Sequence, residues 1–239
     1  MKTLIVIPTY NESENIENMI RLIFDTLPPY TQVHILVVDD NSPDGTAAVV
    51  RKLIQSAFTD TLFLQPRSGK LGMGTAYIDG FKWGLAKDYE LFIEMDADLS
   101  HHPAFLPDMI HRAGQYDVVV GSRYVPGGGV KGWGLPRKFI SKGGSLYARV
   151  VLGLPINDLT GGFNLWQRKV LEKIDMNSVR SEGYAFQIEL KYKAFREGFS
   201  LFEHPIIFED RRAGKSKMSK RIILEAVVRV LQMALSRKR

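Results

Sequence analysis

ELFIEMDADLSHHP (residues 90–103) runs from an apolar-rich segment, ELFIEM (90–95), straight into two acids one residue apart, Asp96 and Asp98. Two readings of that junction stand: a solvated turn at a strand tip, or a pair of carboxylates that holds a divalent cation against a phosphate. The same layout recurs upstream. TLIVI (3–7) precedes Glu12 in PTYNE, and VHILVV (33–38) precedes Asp39 and Asp40 in VVDDNSPDGT. TLFLQ (61–65) and DVVVG (117–121) are two further strand-like runs. Segments with helical spacing lie between them, such as Ile16, Ile20, Ile23 and Leu27, and others around 73–87 and from about 103. Strands that are apolar throughout are covered on both faces, so the pattern predicts an α/β protein with a mostly parallel central sheet flanked by helices. In open sheets of this kind ligands bind beyond the carboxyl ends of the strands. Five acids at three tips on that edge would repel one another unless cations or hydrogen-bond donors sit among them.

Beyond residue 121 the alternation breaks. VPGGGVKGWGLP (125–136) is too rich in Gly and Pro for regular structure. A helix over 137–152, a turn NDLTGG (157–162), a short strand FNLWQ (163–167), a helix near 183–196 and a last strand SLFEHPIIF (200–208) follow. A polar, basic loop (209–218) leads to a helix from about 219, whose Ile222, Ile223, Ala226, Val227, Val230 and Leu231 share a face. No internal repeat or low-complexity linker appears. The chain reads as one domain, 1–218, with an alternating half (1–121) and a Gly-rich, basic half (122–218), followed by a C-terminal basic amphipathic helix, 219–239.

With 239 residues, 45% hydrophobic and 24% charged, the chain has ample material for a core. It has no Cys, which excludes disulfides and thiolate metal sites. The apolar start is too short for a signal peptide, and no stretch approaches the ~20 apolar residues that span a bilayer. The net charge is +6, and residues from Arg211 onward carry ten Lys/Arg against one acid. From Arg123 to Asn157 there are six basic residues and no acid. Localised basic zones point to anionic partners.

Caps on the next helix explain Ser42 and Asp44 but not the doubled Asp39–Asp40. A phosphorylated receiver domain also pairs acids at a strand end, at about half this length. A metal account covers more: Asp-x-Asp offers oxygen ligands to Mg²⁺ or Mn²⁺, which keep phosphate oxygens as further ligands. Tyr10 is placed to stack on a base. RSGKLGMGTA (67–76) lacks the spacing of a phosphate loop, because Leu71 follows Lys70. Its glycines suit close backbone packing. His101 and His102 suit a turn before Pro103 better than a metal, and Asp158 either orients a sugar or braces an arginine.

IPTYNE, VVDDNSPDGT, GKLGMGTAYIDGF, EMDADLSHHP, VVGSRY, RKFIS, DLTGGF, EGYAFQIEL and DRRAGKSKM, in that order, resemble the dolichol-phosphate (polyprenol-phosphate) mannose synthases, family 2 glycosyltransferases with the A-type nucleotide-sugar fold. The resemblance runs from about residue 3 to 218. It implies that Pro8, Tyr10, Glu12, Val38 and Asp40, with Asp39 beside them, hold the nucleotide, and that Asp96, Ala97 and Asp98 meet the diphosphate. It makes Asp96 and Asp98 metal ligands, with Ser100 standing where some relatives have a Gln. Arg123, Arg137 and Ser141 would receive the acceptor phosphate, and Arg211 and Lys217 would close over the donor phosphates. Asp96, Asp98 and Arg123 carry the catalytic roles.

The implied reaction is inverting transfer of mannose from GDP-mannose to a polyprenyl or dolichyl phosphate. The charge pattern agrees. Hydroxyl acceptors need a carboxylate base, whereas a phosphate monoester, with a second pKa of about 6, is already an anion near neutral pH. An arginine-rich segment without acids suits the second. The alternatives are another donor, such as UDP-glucose, or a non-catalytic nucleotide-sugar-binding subunit. The expected location is the cytoplasmic face of a membrane, held peripherally by the last helix or through small membrane subunits. That helix lies in the interface or packs on the domain. The acidic strand edge argues against nucleic acid.

Overall fold

The computed structural model describes residues 1–179, 181–210 and 220–236, the side chains of 220–224 and 236 excepted. Arg211 and Lys217 lie outside the described residues.

The alternating half forms as the sequence predicts. Strands β1 (Thr3–Thr9), β2 (Val33–Asp39), β3 (Leu62–Pro66) and β4 (Leu91–Glu94) alternate with helices α1 (Ile16–Thr26), α2 (Thr46–Ser56) and α3 (Met73–Leu85). A short α4 (Leu106–Arg112) leads to β5 (Val118–Ser122). Residues alternate between two apolar layers along each strand. Leu4, Val6, Phe92 and Val120 pack in one layer, and Ile5, Ile7, Ile93 and Val119 in the other. That two-sided burial is why these strands are apolar throughout.

The second half departs from expectation in three places. The Gly/Pro-rich segment contains a short strand, β6 (Gly129–Lys131), before α5 (Leu135–Leu152). The expected single strand at 200–208 is two, β8 (Leu201–Pro205) and β9 (Ile207–Glu209), and β9 pairs with β6 in a separate two-stranded sheet. A helix not foreseen, α6 (Arg168–Lys173), follows β7 (Asn164–Gln167), and α7 (Gly183–Arg196) precedes β8. A six-residue helix is too short for its periodicity to stand out.

The main sheet has the order β3-β2-β1-β4-β7-β5-β8. β7 alone runs antiparallel, to both β4 and β5. Its first residue, Asn164, therefore pairs with Glu94 near the end of β4 and with Val120 on β5. The reversal puts the turn before β7, residues 157–163, on the same edge as the strand tips that carry the acids.

The last helix, α8 (Lys220–Ser236), packs against α5 and α7. Val230 is buried there, and Tyr147 on α5 donates its hydroxyl to the Val227 carbonyl at 3.2 Å. Of the two places expected for this helix, its inner face takes the body of the domain. No helix among the described residues is long and apolar enough to cross a membrane.

Helix α3 lies close on the sheet because Gly80 has no side chain: a Cβ there would meet Val6 Cγ1 at 2.4 Å. Gly80→Ala should overpack this contact and destabilise the protein by about 1–3 kcal/mol. Denaturant unfolding of the variant checks it, and an unchanged midpoint would show that α3 can ride up without loss.

Candidate active site

At the tips of β1, β2 and β4 the chain turns sharply. Asn11, Asn41 and Leu99 each have positive φ, at 61°, 55° and 65°. Asn tolerates that region; for Leu it is unusual and costly, as at many functional sites. The first two tips are tied together, since Asn11 N donates to Ser42 Oγ and Ser13 N to Asp44 Oδ2, both at 3.0 Å. Asp44 also accepts from Thr46 N and Oγ1 at the start of α2, so its expected capping role is present.

The doubled aspartates are buried and their charges are met from within. Asp39 accepts from Thr9 Oγ1 at 2.8 Å and from Ser42 Oγ at 2.6 Å. Asp40 receives Arg67 Nη1 at 2.6 Å on one oxygen and the N–H groups of Leu71 and Gly72, both at 3.1 Å, on the other. Arg67 is the cation that the acidic edge required, and sequence reasoning missed it; its only signal was an arginine at the tip of the neighbouring strand. The RSGKLG loop is thus folded around Asp40. Tyr10, half-buried, carries Lys70 Nζ 4.2 Å from its ring centroid. Val38 and Ala97 have their side chains in the core, so only their main chains can face a nucleotide. Pro8 and Glu12 are half-buried at the same edge.

Asp96 and Asp98 lie two residues apart in the chain just after β4, which ends at Glu94. The Asp96 side chain is 30% exposed, while Asp98 is buried. Ser100 is buried behind Asp98 and donates to its Oδ1 from both N (3.1 Å) and Oγ (2.6 Å), so the hydroxyl expected as a metal ligand orients the carboxylate. Two aspartates on one short turn form an oxygen-only donor set, which suits Mg²⁺ or Mn²⁺. His101 is buried, and burial pulls its pKa below the ordinary value. Its Nδ1 accepts the Asp96 N–H at 3.0 Å, which fixes the ring behind the acids. His102 accepts from Ala104 N, as a turn before Pro103 requires.

The basic segment that begins at Arg123 starts directly after β5. Its Nε and N donate to Asp158 Oδ2 at 2.7 and 3.0 Å, and its Nη2 donates to Asp158 Oδ1 at 2.7 Å and to Thr160 Oγ1 at 3.0 Å. Of the two roles open to Asp158, bracing an arginine is the one the geometry gives it. Burial disfavours both charges, but each outweighs that penalty for the other: the Asp158 pKa is lowered and the Arg123 pKa raised. Arg137, on α5, donates to Asp210 at 2.7 Å, and Tyr124 donates to Ser141 Oγ at 2.7 Å. Asp158, Glu203 and Asp210 are thus carboxylates that the fold brings to a segment acid-free in sequence. Asp158 and Asp210 pair with arginines, and Glu203 accepts from Ser122 Oγ, Asn157 and Asp158 N.

Beneath the turn lies a buried group that the sequence did not suggest. Lys191 is fully buried and donates to the carbonyls of Gly161 (2.6 Å) and Leu159 (3.3 Å). Burial lowers its pKa to about 8 and raises that of Glu94 to about 7. Asn164 Nδ2 links Glu94 and Gln187 at 2.6 and 2.8 Å.

With this geometry in view, the comparisons are specific. The sequence pattern of Glycosyl transferase family 2 matches residues 4–175. The chain belongs to this family. It is therefore a glycosyltransferase. The polyprenol monophosphomannose synthase of Mycolicibacterium smegmatis is 46% identical over 233 residues, 97% of this chain and 86% of that one. The undecaprenyl-phosphate mannosyltransferase of Micrococcus luteus is 41% identical over 236 residues, 99% of this chain and 95% of that one. Among solved structures, glucosyl-3-phosphoglycerate synthase from Mycobacterium tuberculosis, in complex with Mn²⁺, UDP and glucosyl-3-phosphoglycerate, superposes with a TM-score of 0.69 at 19% identity. That match covers 98% of this chain and 80% of the other, and it supports the A-type glycosyltransferase fold.

Arg67→Met should leave Asp40 as a buried charge without its cation, at a cost of about 3–5 kcal/mol. Thermal unfolding measures this. A loss below about 1 kcal/mol would mean that the Leu71 and Gly72 N–H groups suffice.

Proposed function

We propose that this glycosyltransferase carries out metal-dependent, inverting transfer of mannose from GDP-mannose to a polyprenyl phosphate, giving polyprenyl-phosphate mannose. The observation that carries the reading is the acceptor wall. Arg123 and Arg137 lie around Trp133, Thr160 accepts from Arg123 and Ser141 accepts from Tyr124, while Asp158 and Asp210 are tied to the two arginines. A wall of this kind suits an acceptor that needs positioning rather than deprotonation. A phosphate monoester is such an acceptor. The two mannosyltransferases named above point to the same acceptor class and the same sugar.

Asp96 and Asp98 are the residues that would hold Mg²⁺ or Mn²⁺, which when bound supplies charge stabilisation for a diphosphate leaving group. The chain's own part is to place the rest. Tyr10 offers its ring to the base. Arg211 and Lys217 would add positive charge near the donor phosphates. Arg123 and Arg137 hold the acceptor anion in line with the sugar carbon, on the face opposite the leaving group, which accounts for inversion.

The lipid part of the acceptor has an apolar path. Beside Ser141 and Thr160 a cleft opens between α5, α7 and α8, lined by Ile140, Tyr147, Ile188 and Val227. On the outer side of α5, Leu135, Phe139, Leu146 and Val150 are 57–75% exposed. At 100° per residue they fall within roughly 60° of arc, with Lys142 beside them. An apolar stripe edged by lysines suits peripheral binding to an anionic membrane, on the cytoplasmic face where the nucleotide sugar would be met. This stripe, rather than the inner face of α8, is the contact proposed, and the open edge of the domain leaves room for small membrane subunits.

Asp98→Ala should lower transfer at least about 10²-fold and abolish stimulation by Mn²⁺. The assay is mass spectrometry of the lipid product, with GDP-mannose and UDP-glucose compared as donors. A product carrying glucose, or glycosylation of neutral alcohols alone, would overturn the reading. Leu146→Asp with Val150→Asp should reduce flotation with anionic liposomes several-fold, with transfer to a short water-soluble acceptor retained; undiminished flotation would remove α5 from the membrane contact.

A further inference from the structure

Trp133 stands between the two acceptor-side arginines. The Arg137 guanidinium carbon lies 4.1 Å from its ring centroid and that of Arg123 lies 5.4 Å away. Phe208 on β9 packs edge-on against the indole at 5.3 Å, and the Arg123 guanidinium lies 5.6 Å from Phe208 as well. The indole is 8% exposed, so its orientation is set by packing and not by solvent. The backbone before it turns at Gly132, with φ of 78°, where a Cβ would come within 3.1 Å of Asp210 Cβ. Asp210 is itself the partner of Arg137. The local chain, the ring and both guanidiniums thus form one packed unit.

One atom of this unit is left over. Trp133 Nε1 is buried and has no hydrogen-bond partner among the described residues. Buried N–H groups are nearly always paired, and an indole nitrogen is a donor only. Trp166 Nε1 is also unpaired, but it belongs to the core layer under β7 and lies in no arginine cluster. At Trp133 the missing acceptor has a natural candidate in the anion that Arg123 and Arg137 are arranged to receive.

We infer that Trp133 is a specificity-determining residue for the acceptor: its ring face holds the Arg137 and Arg123 guanidiniums apart and in register, and its N–H donates to an oxygen of the bound phosphate. The inference rests on the acceptor reading above. It assigns the indole two separable roles. The ring orients cations by cation–π attraction, which Phe also provides more weakly. The N–H is an uncharged directional donor that adds no positive charge to the pair of arginines. Such a donor favours a tetrahedral oxyanion over a flat carboxylate, because it binds an oxygen outside the plane of an arginine fork.

The test uses the full chain labelled with ¹⁵N at its tryptophans, which number three. Trp133→Phe identifies the Trp133 indole signal by its loss. Titration of the unsubstituted protein with farnesyl phosphate should move that signal downfield and leave the other two in place. In steady-state transfer, Trp133→Phe should raise the KM for farnesyl phosphate about tenfold, with donor KM unchanged. Trp133→Leu, which also removes the ring, should raise it further and lower kcat. An indole signal that stays put at saturating farnesyl phosphate, or an unchanged acceptor KM in Trp133→Phe, overturns the inference. Arg137→Ala, run in parallel, separates the two levels. If it raises acceptor KM while Trp133→Phe does not, only the indole assignment falls. If it leaves acceptor KM unchanged, the acceptor wall is wrongly placed and both readings fall.

Discussion

A guanidinium buried at the end of a strand has to be answered by a carboxylate, and the second half of this glycosyltransferase is organised around that requirement. Arg123 and Asp158 meet through three bonds, and removing either partner of such a pair leaves an uncompensated charge. Asp158 can reach Arg123 only because β7 runs against its neighbours and brings the 157–163 turn to the edge where β5 ends. The turn is then fixed from two further directions. Glu203 on β8 accepts from Asn157 and Asp158 main-chain N–H groups, and Lys191 on α7 donates to the carbonyls of Leu159 and Gly161. The end of β5, β8 and α7 are thereby all held to this one turn.

The first half of the chain solves the mirror-image problem. There the acids come first in the sequence and the cation is recruited: Arg67 neutralises Asp40 while the loop that follows wraps the same carboxylate with main-chain N–H groups. Asp96 is treated differently, with part of its side chain left exposed on the cleft. The fold therefore separates carboxylates that support the scaffold from one that stays available to solvent. His101 joins the halves. Its ring stacks on Phe163 with centroids 5.0 Å apart and meets Phe208 at 5.6 Å, while its Nδ1 holds the Asp96 N–H.

Much of this was legible in the chain because it is local. Apolar runs covered on both faces, acids at their ends and helical spacing between them gave the order of elements through β5, and the same patterning placed α5, β7, α7 and α8 beyond it. What escaped was long-range or short. The Arg67–Asp40 and Arg137–Asp210 pairs join residues 27 and 73 positions apart, and no periodicity records a partner at such distance; for Asp158, bracing an arginine was one of two roles open, but which arginine was not legible. β6 hides in a glycine-rich segment because its three residues pair only with β9. The break between β8 and β9 falls at Ile206, which is buried between two half-buried strands and is as apolar as Ile207 and Phe208 beside it, so hydropathy shows no interruption. Lys191 carries no signal of its own in the sequence, since nothing in KYKA announces a fully buried amine.

The exposed face of α5 bears on how such an enzyme would meet its acceptor. Arg137 and Ser141 lie on the same helix as Phe139, Leu146 and Val150, so a bilayer that receives the stripe would also receive, at the depth of its headgroups, the side chains proposed to bind the acceptor phosphate. Encounter then becomes a two-dimensional search. Turnover would follow the surface density of lipid phosphate rather than its bulk concentration, and diluting the acceptor with inert phospholipid at constant total acceptor would slow the reaction.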